Sequence, residues 1–150
     1  MADFKSPEER SRNMSRIRSK DTKPEVWFRK QLFAQGYRYR KNVNYLPGHP
    51  DLWLAKYNTA VFVNGCFWHR HEGCKYSYTP KSRIDFWTEK FQRNIRRDKQ
   101  VYRELAERGV KTLVVWECTV NRMMKDPKTA EEILEKVEEF LRSNGMWSEL

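Results

Sequence analysis

The stretch from Thr59 to Cys74 constrains this chain most. Ala60, Val61, Phe62 and Val63 form a short apolar run that a sheet can bury on both faces. Asn64-Gly65 ends the run as a turn signal. Cys66, His69, His71 and Cys74 follow within nine residues, with Phe67 and Trp68 between them. Just upstream, Pro47-Gly-His-Pro-Asp51 places an acid at the mouth of another apolar segment. Function is to be sought where these two stretches meet.

Charge narrows the partner. The 150 residues carry 30 Lys and Arg against 20 acids, a formal net charge of +10. Such an excess favours an anionic partner, most often nucleic acid. The excess is concentrated: residues 1–41 hold 12 Lys/Arg and 5 acids, whereas residues 126–150 hold 3 and 7. No apolar run approaches the ~18 residues of a membrane span, and nothing resembles a signal peptide, so an intracellular protein is expected. Three cysteines are too few for a disulfide framework, and their company with histidine points to metal.

Periodicity and caps lay out the elements. Ser6-Pro-Glu-Glu9 starts a helix to about Arg18, basic nearly all round, with only Met14 and Ile17 apolar. It is expected to be an arm, either solvated or ordered on DNA. Thr22-Lys-Pro-Glu25 repeats the capping pattern for a helix to about Gln35, stopped by Gly36. Strands are expected over Tyr37–Asn42, Asp51–Lys56 and Thr59–Asn64. A long helix then spans about Arg83–Arg108, closed by Gly109. A buried strand Val110–Trp116 follows, and a final helix runs from Asp126-Pro127 to about Arg142. The order α-α-β-β-β-α-β-α predicts one α/β domain over residues 1–150, a mixed central sheet flanked by helices.

Cys66, His71 and Cys74 offer three ligands at close spacing, and Cys118 at the end of the fourth strand can be the next. Thiolates with one imidazole suit tetrahedral zinc. Four protein ligands leave no open position, so such a zinc is structural. His69 in place of His71, or three separate buried thiols, are the alternatives.

Asp51 opens its strand as a candidate ligand for a hard cation such as magnesium. An ordinary turn residue is the bland reading. Asn64, His69 and Glu25 add weight to the first, because histidine suits proton transfer near neutral pH.

At these residues the chain resembles the very short patch repair (Vsr) endonucleases, a branch of the PD-(D/E)xK nuclease fold. The matching stretches are Arg12-Asn-Met14, Asp21-Thr22 with Glu25, and Leu46-Pro-Gly with Pro50-Asp51. Further matches are Gly65-Cys-Phe-Trp-His69 with His71 and Cys74, Phe86-Trp87 with Glu89-Lys90, Asn94 and Asp98, and Val115-Trp-Glu-Cys118. The resemblance implies a restriction-endonuclease-like domain with a structural zinc, and a magnesium-dependent enzyme that nicks one strand beside T:G mismatches left by 5-methylcytosine deamination. In that reading Asp51 ligates magnesium and Val63 offers its backbone carbonyl. His69 activates or positions the attacking water. Glu25 and Asp98 hold metal-bound waters or orient His69. The usual second acid and lysine of the fold are replaced by Val63 and Gly65, so their mechanism does not apply. Asn64 stands where the family often has a histidine and keeps only a hydrogen-bonding role.

The resemblance also makes duplex DNA with a T:G mismatch the partner. Mismatch-repair proteins are further partners, and a monomer at the nucleoid in the cytoplasm is expected, with no membrane. A T:G wobble stacks weakly, so a rigid apolar wedge can open it. Phe67 and Trp68 on the metal-held loop, Met14 on the arm, and Trp87, Lys90 and Asn94 on one helical face are the DNA-contacting candidates. Two rival readings stand beside this one. One is a non-catalytic, zinc-stabilised DNA-binding module. The other is a zinc-dependent nuclease using His69 and His71, which leaves Asp51 without a role.

Overall fold

Strand β3, Thr59–Asn64, is buried along nearly its whole length and sits at the centre of a five-stranded sheet. The computed structural model describes residues 21–150. The expected arm, with its Met14, lies outside the described residues. Helix α1 covers Lys23–Ala34; β1 is Arg40–Lys41 and β2 is Leu52–Leu54. After β3 come α2 (Ile84–Glu107), β4 (Lys111–Trp116), α3 (Glu117–Lys125), α4 (Pro127–Arg142) and β5 (Trp147–Glu149). The sheet order is β1-β2-β3-β4-β5. The β1–β2 and β2–β3 pairs are antiparallel, and β3–β4 and β4–β5 are parallel. A mixed central sheet flanked by helices is thus what the chain forms.

Period-two alternation explains the layering. Val61, Leu113 and Val115 point to one face, where Phe28 and Leu32 of α1, Val120 and Met123 of α3, and Leu134, Val137 and Phe140 of α4 cover them. Ala60, Phe62, Val114 and Trp116 point to the other face, against Leu105 and Val101 of α2. Both faces are closed, which is why β3 and β4 read as continuous apolar runs.

The caps act as their residues predict. The Thr22 side chain accepts a hydrogen bond from the Glu25 N–H, and Pro24 lies in the first turn of α1. Gly36, at φ +95°, ends that helix in a conformation glycine adopts freely. Asp126 caps α4. Lys111 is buried, yet its Nζ donates to the carbonyls of Phe140, Leu141 and Ser143, closing the far end of α4.

The chain departs from its expected outline in four places. β1 has two residues instead of six. β2 stops at Leu54, where a 3-10 turn, Ala55–Tyr57, leads to Asn58 in a left-handed conformation. Glu117 opens helix α3 directly from the end of β4, so Cys118 lies on a helix. A fifth strand, β5, pairs with β4 through Thr112 opposite Trp147. Among the described residues no helix is long and apolar enough to cross a membrane.

Candidate active site and metal centre

The loop after β3 turns tightly, with the His69 N–H bonded to the Gly65 carbonyl and the His71 N–H to the Cys66 carbonyl. That turn splits its side chains between two sites. One gathers Cys66, His71, Cys74 and Cys118, whose ligand atoms all lie within 4.8 Å of one another. His71 Nδ1 is 3.6 Å from Cys66 Sγ and 3.4 Å from Cys118 Sγ. Tetrahedral bonds of 2.0–2.3 Å place nitrogen and sulfur ligands about 3.6 Å apart, so the donor set fits a metal. The surroundings prepare it. The imidazole stacks on Trp116, with ring centres 4.2 Å apart and planes 8° from parallel. Trp116 is held in turn by Nε1 donating to Glu149 Oε1 of β5 at 2.6 Å. The Cys118 N–H, in the first turn of α3, donates to Cys66 Sγ. Burial lowers the His71 pKa and so favours the neutral imidazole that a metal takes. Burial also pushes the Cys66 thiol up to about 12, a protonation that a bound cation would reverse.

The second site is a cleft of about 1450 Å³ lined by Glu25, Asp51, Val63, Asn64, Gly65, Trp68, His69 and Glu117, among others. Asp51 accepts a 2.6 Å hydrogen bond on Oδ2 from the Val63 N–H. A strand residue points its N–H and C=O to the same side, so the Val63 carbonyl faces Asp51 too. Continuing the Leu52–Val61 register sets Pro50 opposite Val63, and proline has no N–H to offer that carbonyl. Gly48 lets this loop press on α2, since a Cβ there would collide with Val101.

The acids in the cleft are under-compensated. Burial raises the Asp51 pKa to about 7, with the Glu25 charge adding to it, while the Val63 N–H and Arg29 pull it down. Glu25 is 2% exposed, and its Oε1 has no hydrogen-bond partner among the described residues. Arg29 Nη1 stands 3.5 Å from it as an ion pair but bonds Asp21 at 2.7 Å instead. Burial raises the Glu25 carboxyl as well. A carboxylate oxygen without a hydrogen bond beside a half-buried aspartate is a fit for a hard cation with its waters.

Across the cleft, His69 Nδ1 donates to Asp98 Oδ2 on α2 at 2.7 Å. That bond fixes the tautomer and leaves Nε2 free to accept a proton. Asn64 is buried and donates its amide to the Tyr102 hydroxyl at 3.0 Å, one turn along α2 from Asp98.

The aromatic candidates divide. Phe67 and Trp68 are half-buried, and Lys90 Nζ lies 5.2 Å from the Trp68 ring centre. Trp87 is 6% exposed and packs against Phe67, Trp68, Phe86 and Phe91, so it braces the loop from behind. The Asn94 amide donates to the Trp68 carbonyl and its oxygen accepts from Arg97, so it too faces the loop. Arg70 spans the loop, donating to the carbonyls of Phe67, Ser77 and Tyr78. Sequence reasoning passed over Arg29, Arg70 and Tyr102. Two had a signal in the four-residue helical spacings Glu25–Arg29 and Asp98–Tyr102; Arg70 had none.

Acids and a carboxylate-oriented histidine gathered at the ends of a mixed sheet, in a chain of net charge +10, are groups of the kind a nucleic-acid hydrolase uses. The family profile described as DNA mismatch endonuclease Vsr matches residues 2–75. The chain is 45% identical over 140 residues to the type II nicking enzyme V.NmeAIP of Neisseria meningitidis, covering 87% of this chain and 99% of that one. It is 42% identical over 121 residues to the type II nicking enzyme V.XorIIP of Xanthomonas oryzae, covering 81% and 88%. It is 36% identical over 145 residues to the DNA mismatch endonuclease Vsr of Escherichia coli, covering 97% and 91%. The chain belongs to the Vsr family and is a DNA endonuclease.

Proposed function

We propose that this endonuclease nicks one strand of duplex DNA beside a T:G mismatch, with magnesium, and so begins very short patch repair. The observation that carries the catalytic part is one cleft lined by Asp51, by Glu25 with an Oε1 that has no hydrogen bond among the described residues, and by His69, whose ring Asp98 orients from α2. A DNA-binding module has no use for acids gathered in a cleft that must face a polyanion. Magnesium would supply charge neutralisation at the phosphate and a lowered pKa for water. Asp51 and the Val63 carbonyl would hold it, and Glu25 would accept hydrogen bonds from its waters. His69 Nε2 takes the proton of the attacking water, and Asp98 stabilises the imidazolium that forms. Asn64, fixed by Tyr102, aligns the floor of the cleft. The arrangement is read as a PD-(D/E)xK-like fold in which Val63 and Gly65 replace the second acid and lysine.

Zinc at Cys66, His71, Cys74 and Cys118 is structural in this reading, because all four positions come from protein. It holds Phe67 and Trp68 as the wedge, with Lys90 and Asn94 beside them. The mismatch preference draws its support from the Escherichia coli relative, itself named a DNA mismatch endonuclease. A labelled duplex with one T:G pair, beside its fully matched counterpart, tests the proposal. Nicking of one strand, only at T:G and only with magnesium, is expected. Equal cutting of both duplexes, or none with magnesium, would remove it.

A further inference from the structure

Glu117 lies in the same cleft, and nothing in the catalytic reading uses it. It follows the last residue of β4 and begins α3, and the register Asn64 opposite Trp116 brings it beside Gly65 when continued. Gly65 does not have a positive φ, so its contribution is room. A Cβ there would stand 3.3 Å from Glu117 Oε2 and 3.6 Å from Trp68 Cδ1. A side chain at Gly65 would thus crowd the Glu117 carboxylate by a few tenths of an ångström. Gly65 lies two residues beyond Val63, whose N–H holds Asp51, a span of roughly 7 Å along the chain. The carboxylate is half-buried, and among the described residues no donor or cation engages it. A carboxylate in that position, facing incoming phosphates, carries a cost unless a cation or its water meets it. The buried Glu25 Oε1 in the same cleft, without a hydrogen bond among the described residues and met only by Arg29 at 3.5 Å, points to the same ligand independently.

We infer that Glu117 is a positioning residue of the nuclease centre, which orders the water shell of the divalent cation held at Asp51. The inference rests on the metal-dependent reading above. The Glu117 carboxylate lies beside Gly65, one of the two positions at the end of β3 where this nuclease fold usually carries its second acid and lysine, and comes from the residue that follows the neighbouring strand.

Manganese binding, measured by titration calorimetry on the full chain with its nicked T:G product duplex, tests the assignment. Metal held at the Cys/His site is counted by mass spectrometry for each protein. Glu117→Gln should weaken manganese binding about tenfold, the usual effect of losing an outer-shell partner. Glu117→Asp should recover most of the loss, and Cys/His-site metal should not change. If Asp51→Asn loses manganese while Glu117→Gln does not, the role of Glu117 is overturned and the wider reading stands. If neither variant alters binding, both fall. If Glu117→Gln loses the Cys/His-site metal, Glu117 acts through Cys118 and the assignment is equally overturned.

Discussion

The two sites at the end of β3 share one loop but differ in completeness. The Cys/His cluster is finished by the protein itself, with four donors converging and its imidazole braced by Trp116. The acid cleft is not. Asp51 carries a pKa raised to about 7, and Glu25 keeps an oxygen with no hydrogen-bond partner among the described residues. A structural centre lowers its own free energy during folding. A catalytic one holds groups in states that only cation and substrate relieve. A full set of four protein ligands suits a scaffold metal, and acids left with room for water and substrate suit chemistry.

The largest expected effect breaks the cleft. Asp51→Asn should abolish nicking, a loss beyond about 10³-fold if the cation is lost, while T:G binding survives. His69→Ala should cost at least about 10²-fold in single-turnover rate. Near-normal rate in either would mean the chemistry lies elsewhere. The cluster should break differently. Cys118→Ser should lose the bound metal and lower the melting temperature, read by metal analysis and calorimetry. Full occupancy with unchanged melting would remove Cys118 from the site.

Two smaller effects sharpen the contrast. The folded pKa of Asp51 lies above its unfolded value, so ionising it costs stability. That cost is absent below about pH 4, grows as pH rises, and is complete above about pH 7. In magnesium-free buffer Asp51→Asn should therefore stabilise the protein at pH 8 by up to a few kcal/mol, and by much less at pH 5. Melting curves at the two pH values decide it; a variant less stable at pH 8 would contradict the burial argument. Trp68→Ala should weaken T:G duplex binding by ~1–3 kcal/mol with little change for matched duplex. Equal loss on both would make Trp68 a packing residue like Trp87.

Much of this was legible in the sequence because the signals were local. The apolar run of β3, the Thr22 and Asp126 caps and the metal ligands within nine residues all lie close in the chain. Cys118 was reachable because β4 had to lie near β3. The rest depended on distant partners. His69 and Asp98 are 29 positions apart, and only the family resemblance linked them. β5 has three residues and exists because β4 offers an edge, so no periodicity announces it. Helical spacing gave the face of Trp87 but not what covers it, which is Phe67, Trp68, Phe86 and Phe91. α3 was hidden because Glu117-Cys118 continues the β4 pattern before its apolar Val120 and Met123 turn inward.

The separation of the two sites can be tested in one measurement. Protein with its tightly held metal counted is assayed for nicking of a T:G duplex without magnesium, and magnesium is then added. One tightly held metal per chain throughout, no nicking before the addition, and strand-specific nicking after it are expected. Nicking supported by the Cys/His-site metal alone would contradict that separation.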